Sequence, residues 1–380
     1  MGNSDAKIKY LQDIIKEKDQ QILELDSENM LLKQRLHNEY IAHNSDEDAI
    51  DEIYKHKKNK DYKYLVFSGG AIRGITYYGA LEVLKDKIDL SKIVGYAGTS
   101  VGAIASMLLA IGYTYDELGE VLYNIDYEKI VDDKWGVIRD GINILTDYGY
   151  APGDYFYNLL GEWVEKKKGN KDYTFDDLYN DTGITLVVTG ADINRKRVLY
   201  FCPNHMEEDM RNVPIRKGVR ISMSIPWIFE PVKFNGCYCV DGAVLDRMPL
   251  QVFDGEYPGD PNARMNLCPP NPSVLGLNLV VEGSLEYTLK NKRIEINNIW
   301  EYGMAYIDMF MKEHAKRSMT PGYWHRTINL FTPDIPMGEM DISDETKNYM
   351  IEAGKKYTKQ FFEDDEIMEI IEITEIIDEV

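Results

Sequence analysis

The sequence predicts an α/β fold, a three-layer α/β/α domain with a mainly parallel central sheet, preceded by an N-terminal coiled coil. Two short apolar runs, 64–67 and 93–97, each end in a glycine-containing turn that opens a helical pattern. Strands that alternate with helices in this way form parallel sheets with helices packed on their faces. A separate heptad pattern over 6–42 places isoleucine and leucine at core positions, which is typical of a coiled coil.

Composition and charge restrict the partners and the compartment that are expected for this protein. The 380 residues are 44% hydrophobic, enough for a sizeable core, and 64 acidic against 43 basic residues give a net charge of −21. This charge argues against nucleic-acid binding and against attraction to anionic membranes. The four cysteines lack metal-type spacing, so we expect reduced thiols and neither metal nor cofactor. No secretory signal or membrane-spanning run is visible, so we expect a cytoplasmic protein, at most peripheral on membranes.

The N-terminal heptads follow a segment, 1–5, that is expected to be disordered. Isoleucine at a and leucine at d favour a parallel two-stranded coil, and Asn29 at one a position fixes its register. We therefore expect a homodimer through this segment. Lys18 and Glu39 at d positions keep open a single solvated helix, or one that lies on the globular domain. The apolar core positions are Ile8, Leu11, Ile15, Ile22, Leu25, Leu32 and Leu36.

A charged linker is expected over 43–63. Its first half is acidic and its second half contains the basic run KHKKNK, so it has little apolar surface to bury. A solvated linker is the ordinary interpretation. Contact of the basic run with an anionic lipid head group is the alternative.

The catalytic domain is expected over 64–254. Its first part alternates strands and helices, whereas 113–180 has a mainly helical and irregular pattern. A β-branched run then predicts a strand, and a helical pattern is closed by Pro226. The expected elements are strands at 64–67, 93–97, 184–189 and within 190–201, and helices at 74–87, 101–111 (capped by Gly112) and 216–225.

A hairpin precedes an aspartate of interest. Asn235-Gly236 stands between two alternating apolar runs, and this dipeptide is a strong signal for a two-residue hairpin turn. The second arm runs directly into Asp241-Gly242. Asp241 is therefore expected at a strand end, beside a glycine that lets other groups approach closely.

A possible nucleophile lies in GTSVG, residues 98–102. A serine at a sharp strand-to-helix turn exposes its hydroxyl, and glycines on both sides tolerate the strained backbone. The helix behind Ser100 directs its free N–H groups and positive dipole end toward that point.

The glycine-rich turn SGGAIRG, residues 68–74, has the same strand-to-helix context. Its backbone N–H groups have no side chains in the way, so they suit an oxyanion hole or, alternatively, a phosphate cradle. Either motif alone is weak evidence. Together they supply the two parts that acyl transfer needs, a nucleophile and an oxyanion hole.

These motifs identify a family resemblance. GGAIRG at 69–74, GTSVG at 98–102 and DGA at 241–243 stand in the order and spacing of a patatin-like phospholipase. The stretch 221–232, ISMSIPWIFEPV, and Pro249 add to the resemblance, which covers about 64–254. Two positions depart from it: Ala71 replaces a usual third glycine, and Asp246-Arg247 stands where asparagine is common.

The resemblance implies a lipid acyl hydrolase with a Ser–Asp dyad and no catalytic histidine. Ser100 is then the nucleophile and Asp241 the proton acceptor, whose pKa should be raised by a desolvated pocket. Arg73 adds positive charge to the oxyanion site or pairs with a core carboxylate. Lipid or phospholipid is the implied substrate, with transient contact to a membrane surface. The implied oxyanion hole comprises Gly69, Gly70, Ala71, Arg73 and Gly74, with Gly98, Gly102, Gly242 and Ala243 in the flanking motifs.

Two other interpretations stay open. An α/β-hydrolase-type esterase would use Ser100, an acid and His325, in that chain order. A coiled-coil scaffold would carry an inactive hydrolase domain, although the intact Ser100 and Asp241 speak against it.

A C-terminal extension, 255–380, lies outside the resemblance and is expected to pack on the catalytic domain. It predicts a loop at 258–272, a strand at 274–281, a long helix within 286–319 and an acidic terminal helix at 362–380. The apolar stripe of the terminal helix favours a packed helix, with a lid or a partner-binding helix as the alternative.

Overall fold

The computed structural model describes residues 60–130, 148–203, 205, 208–255, 268–282, 295–317, 321–335, 339 and 341–378. The expected disordered N-terminus, the coiled coil over 6–42 and most of the linker lie outside these residues. The homodimer inferred from the heptads therefore stays a prediction.

Ten strands in the described part of the chain form two sheets. They are β1 (Tyr64–Phe67), β2 (Gly95–Gly98), β3 (Gly149–Ala151), β4 (Thr185–Asp192), β5 (Arg197–Phe201), β6 (Trp227–Phe229), β7 (Val232–Phe234), β8 (Cys237–Asp241), β9 (Val274–Val281) and β10 (Thr327–Thr332). β3 and β6 pair separately, and the central sheet has the order β10-β9-β1-β2-β4-β8-β7, with β5 also on β4. The strands from β10 to β4 are all parallel. The mainly parallel sheet is thus confirmed.

The helices follow the predicted alternation, with shifted boundaries. They are α1 (Thr76–Lys87), α2 (Val101–Ala110), α3 (Tyr115–Asn124), α4 (Tyr127–Ile130), α5 (Asp154–Lys168), α6 (Phe175–Thr182), α7 (Glu208–Arg211), α8 (Ile215–Ser222), α9 (Ile299–Arg317), α10 (Pro321–Trp324) and α11 (Asp344–Asp378). α1 starts later than expected because Ala71–Ile75 forms a 3-10 helix. No helix among the described residues is long and apolar enough to cross a membrane.

The predicted hairpin is present. β7 and β8 are antiparallel, and Asn235 and Gly236 both have positive φ, 50° and 74°. A two-residue hairpin turn of this type needs positive φ at both positions, which asparagine and glycine tolerate best. The hairpin delivers Asp241 to the end of β8.

The two faces of the central sheet are covered differently. Leu65 and Phe67 of β1 join a large core with α1, α2 and α8, whereas Val66 faces a smaller core. In the described residues, the smaller core is covered by a 3-10 turn, Leu250–Phe253, and by Tyr323 of the short helix α10. Among the described residues, the expected three-layer arrangement is therefore asymmetric, because this face carries a 3-10 turn and a four-residue helix in place of long helices.

The C-terminal extension contributes to the central sheet and to its helical layer. β9 lies between β1 and β10, and α11 packs closely on α1. A methyl group added at Gly79 would stand 1.8 Å from the carbonyl oxygen of Ile351, and one at Gly354 would stand 2.2 Å from that of Thr76. The helix begins at Asp344, well before the predicted 362. The side chains of the predicted apolar stripe lie outside the described residues.

Candidate active site

Ser100 lies in the sharp turn between β2 and α2. Its φ of 57° and ψ of −126° are strained for a residue with a side chain, and such strain is concentrated at functional sites. The turn is too tight for side chains on either side. A methyl group at Gly98 would lie 2.2 Å from the carbonyl oxygen of Gly102, and one at Gly102 would lie 2.2 Å from that of Phe67.

The surroundings of Ser100 are closed and come partly from α8. Only 2% of Ser100 is exposed. Its backbone N–H donates to Ser222 Oγ at 2.9 Å, and its hydroxyl lies 3.6 Å from Met223 Sδ. The ISMSIP stretch therefore holds the turn in place, a role that the sequence did not reveal.

The glycine-rich turn lies directly against Ser100. A methyl group added at Gly69 would stand 3.4 Å from the Cβ atoms of both Ser100 and Ala243. The absent side chain of Gly69 therefore faces the other two motifs. The three motifs that are separated in the sequence meet at this glycine.

Two N–H groups of the glycine-rich turn are candidates for binding an oxyanion. The Gly69 N–H donates to the carbonyl oxygen of Arg247 at 2.9 Å, so it is occupied, contrary to our expectation. Among the described backbone hydrogen bonds outside regular elements, none uses the N–H of Gly70 or Ala71 as donor. Ala71 has φ of 49°, so it adopts a glycine-like conformation at a cost of roughly 1–2 kcal/mol and keeps its N–H.

Asp241 reaches the site through the pairing of β4. Val188 of β4 pairs with Gly98, and Gly190 pairs with Asp241. Val188 and Gly190 also pair with β5, which lies along the other edge of β4. β2 and β8 therefore lie one after the other along the same edge of β4. Asp241 therefore stands just beyond the end of β2, where the turn to Ser100 begins.

The Asp241 carboxyl group is deeply buried and incompletely paired. One oxygen, Oδ1, accepts the Ala243 N–H at 2.8 Å. Burial raises the pKa of Asp241 to about 7, and the Ala243 N–H and the Ser100 hydroxyl lower it in part. Although Ser100 is near enough to affect this pKa, Oδ2 has no hydrogen-bond partner of normal geometry in the described structure. A buried oxygen of this kind requires an explanation, and a catalytic role is one.

Threonine side chains connect the turn that follows Asp241 with the turn that leads to Ser100. Thr99 Oγ1 lies 2.6 Å from Thr189 Oγ1 and donates to the carbonyl oxygen of Asp246 at 2.9 Å. A methyl group at Gly242 would stand 2.2 Å from Thr189 Oγ1, so the aspartate turn needs its glycine. These contacts fix the turn that follows Asp241 against the turn that precedes Ser100.

Arg73 lies beside the glycine-rich turn and donates from Nε to the carbonyl oxygen of Gly70 at 3.1 Å. Desolvation lowers the pKa of Arg73, and the negative charges of Asp308 and Asp334 oppose this shift. Arg73 thus has carboxylates in its surroundings and also contacts the turn. Gly74 allows close packing on α2, because a methyl group there would stand 2.2 Å from Val101 Cγ2.

His325 lies at the opposite end of the parallel strands from Ser100. It stands two residues before β10, which belongs to the parallel series β10, β9, β1 and β2. It therefore stands where the parallel strands begin, whereas Ser100 follows the end of β2. The structure does not bring His325 together with Ser100 and Asp241.

Comparison with known proteins identifies relatives. A family model described as patatin-like phospholipase matches residues 65–254. The uncharacterized protein YqhO of Bacillus subtilis is 28% identical over 313 residues, covering 78% of this chain and 96% of its own length. The probable lipid hydrolase 463L of invertebrate iridescent virus 6 is 31% identical over 195 residues, covering 51% of this chain and 64% of its own length.

A solved structure supports the fold. The crystal structure of VipD from Legionella pneumophila matches with a TM-score of 0.54 and 15% identity, covering 80% of this chain and 67% of that chain. The family match includes all three motifs that meet at Gly69. The chain therefore belongs to the patatin-like phospholipase family and is a hydrolase of lipid esters.

Proposed function

We propose that this chain is a lipid acyl hydrolase of the phospholipase A type that works through an acyl-enzyme on Ser100. The observation that carries the proposal is the buried Asp241 carboxyl group beside a serine on a strained turn. A pKa near 7 suits a general base that must exchange protons at neutral pH.

In the first half-reaction, Ser100 Oγ attacks the carbonyl carbon of the ester while Asp241 takes the hydroxyl proton. The negative charge that develops on the carbonyl oxygen is stabilised by the N–H groups of Gly70 and Ala71. The tetrahedral intermediate then breaks the ester bond, and the leaving alcohol takes the proton from Asp241. Ser100 is left as an acyl ester.

In the second half-reaction, Asp241 takes a proton from a water molecule that attacks the acyl carbon. The same N–H groups stabilise the second oxyanion. When the intermediate collapses, Ser100 Oγ leaves and recovers its proton from Asp241, and the fatty acid is released. The cycle needs no histidine, which agrees with the position of His325 before β10.

The test is a panel of esters that includes a soluble chromogenic ester, phosphatidylcholine, lysophosphatidylcholine and triacylglycerol. We expect fatty acid release from at least one lipid, well above the level of the Ser100→Ala variant. Mass spectrometry of the products identifies the bond that is cut. A folded protein that releases nothing from any ester would exclude the enzyme and favour the scaffold interpretation.

Contact with a lipid surface is proposed through α9. One side of this helix packs near the site, since it contacts the 3-10 turn Gly242–Val244 and a methyl group at Gly303 would lie 3.1 Å from the Trp227 ring. The side of the helix away from Met304, which packs against the large core, exposes apolar and aromatic side chains at helical spacing. Such a face partitions into the boundary of a lipid layer without an electrostatic attraction, which suits a chain of net charge −21. The exposed residues are Ile299, Tyr302, Tyr306, Met309 and Phe310.

We expect the double substitution Tyr306→Ser with Phe310→Ser to lower hydrolysis of vesicle lipid about 10-fold, because less apolar area is available for the surface. Hydrolysis of a soluble short-chain ester should stay within about twofold, since neither residue belongs to the proposed dyad. Tyr179→Ser is the matched control. Tyr179 is also exposed, but it lies on α6, which precedes β4 and is not part of the proposed lipid-contacting face. Equal activity of the double variant and wild type on vesicles would contradict the proposed contact.

A further inference from the structure

We infer that Arg247 is a positioning residue that holds the Gly69–Gly70 peptide in the orientation in which the Gly70 N–H serves the oxyanion hole. The inference rests on the proposed function. The resemblance gives Arg247 no role, because asparagine is common where the Asp246-Arg247 pair stands.

Arg247 binds both polar backbone groups of Gly69. Its carbonyl oxygen accepts the Gly69 N–H at 2.9 Å, and its side-chain Nε donates to the Gly69 carbonyl oxygen at 3.0 Å. A terminal guanidinium nitrogen also donates to the carbonyl oxygen of Leu279 in β9. One residue therefore connects the glycine-rich turn, the segment after Asp241 and the sheet.

Because the peptide bond is planar, the contact of Arg247 with the Gly69 carbonyl oxygen also sets the direction of the Gly70 N–H. The described chain has no cis peptide bond, and in a trans peptide the carbonyl oxygen and the following N–H point in opposite directions. Because Arg247 holds the Gly69 carbonyl, the Gly70 N–H must point away from the guanidinium group. Rotation of this peptide by half a turn would exchange the donor for a carbonyl oxygen, which repels an oxyanion.

Glycine stands on both sides of this peptide, and besides Arg247 the Ser68 hydroxyl donates to the Gly69 carbonyl oxygen, at a longer 3.3 Å. Gly70 packs closely on β9, because a methyl group there would lie 2.4 Å from Leu279 Cδ1. Glycine residues also give the backbone little resistance to rotation. The residue that makes close packing possible therefore makes the peptide prone to flip, and the contacts of Arg247 oppose the flip.

The charge of Arg247 adds to the effect. Burial lowers the pKa of Arg247 to about 10, so the group stays positive at neutral pH. A cation on the Gly69 carbonyl polarises the peptide and strengthens the Gly70 N–H as a donor. Arg73 makes the same kind of contact one peptide later, on the Gly70 carbonyl, and so orients the Ala71 N–H.

The test compares Arg247→Gln and Arg247→Lys with Arg216→Met. Arg216 is also largely buried, but it pairs with Asp172, so it is the control for loss of a buried guanidinium group. For Arg247→Gln we expect kcat to fall about 10–100-fold, somewhat less than loss of a whole oxyanion-hole donor, with KM within about twofold. Arg247→Lys keeps the charge and one donor, so it should recover part of kcat.

A second measurement separates positioning from structural support. We expect a trifluoromethyl ketone, which forms a tetrahedral oxyanion on the serine, to bind Arg247→Gln more weakly by the factor lost in kcat. A non-hydrolysable ether analogue of the substrate should bind as it does to wild type. Equal weakening of both ligands would assign Arg247 a structural role and overturn the inference, as would kcat within twofold of wild type.

Failure of the inference differs from failure of the proposed function. If Ser100→Ala is inactive while both Arg247 variants turn over normally, only the positioning role is rejected. If Ser100→Ala is active, the proposed function itself is rejected. Should Arg247→Gln fail to fold, the kcat and the two affinities of Arg247→Lys decide the question, because the ammonium group preserves the buried charge.

Discussion

Ser100→Ala is expected to reduce ester hydrolysis to background while the protein stays folded. No other group can form the acyl-enzyme in the proposed mechanism, so the loss should reach the level of catalysis by the empty site. The hydroxyl contributes little to packing, since it makes only a long contact with Met223 Sδ at 3.6 Å and a polar interaction with Asp241. Thermal unfolding should therefore change little, and activity should change by several orders of magnitude.

The matched control is Ser106→Ala. Ser106 is fully buried in α2 and donates to the carbonyl oxygen of Ala97 at 2.7 Å, so its loss costs stability, on the order of 1 kcal/mol, without removing a hydrogen bond of Ser100 or Asp241. We expect this variant to keep most of its activity. A fluorophosphonate should label wild type and Ser106→Ala on Ser100, as read by mass spectrometry. Normal turnover by Ser100→Ala, or a label on another serine, would reject the nucleophile assignment.

The parts of the site that the sequence could predict are those with a local cause. Asn235-Gly236 specifies its own turn through positive φ, and the hairpin then fixes Asp241 at the end of β8. The strand at 64–67 has the predicted bounds because a glycine-rich turn follows it directly. GTSVG likewise sets the position of Ser100, since the tight turn admits only glycine at 98 and 102.

The parts that could not be predicted depend on contacts between distant segments. Nothing near Arg247 in the sequence indicates that its guanidinium group binds Gly69, 178 residues away. The hydrogen bond from the Gly69 N–H to Arg247 and the one from the Ser100 N–H to Ser222 also join segments that are far apart in the sequence. The helix from Asp344 was missed because its buried face mixes Met350, Ile351 and Phe362 with Ala353, Gly354 and Thr358, and the small and polar residues weaken the apolar periodicity.

Asp241→Asn is expected to lower kcat by roughly 10²–10⁴-fold, the usual effect of losing a general base. The amide has nearly the same shape as the carboxyl group but cannot accept the proton of Ser100. His205→Ala and His325→Ala should each keep most of the activity, because the proposed cycle passes no proton through an imidazole. A histidine variant as inactive as Ser100→Ala would overturn the dyad in favour of a triad.

The pH dependence of the wild type follows from the raised pKa of Asp241. The base must be ionised, so kcat/KM should rise about tenfold per pH unit below the pKa of about 7 and level off above it. An imidazole would give a similar limb, so the rate profile alone does not distinguish the two. The pH dependence of folding stability does distinguish them, because Asp241 binds its proton more tightly in the folded state than in the unfolded state.

The contribution of Asp241 to folding stability should therefore fall as pH rises from about 4 to the folded-state pKa of about 7, since the folded state binds the extra proton below this value. Above pH 7 the buried carboxylate is ionised, and its desolvation costs on the order of a few kcal/mol. Asp241→Asn removes this cost because the amide is neutral at every pH. We expect the inactive variant to unfold at a higher temperature than wild type at pH 8, with the difference shrinking or reversing at pH 5, as measured by calorimetry. A Tm difference that does not change between these two pH values would show that Asp241 has an ordinary pKa, and the carboxylate would then be too weak a base for the dyad.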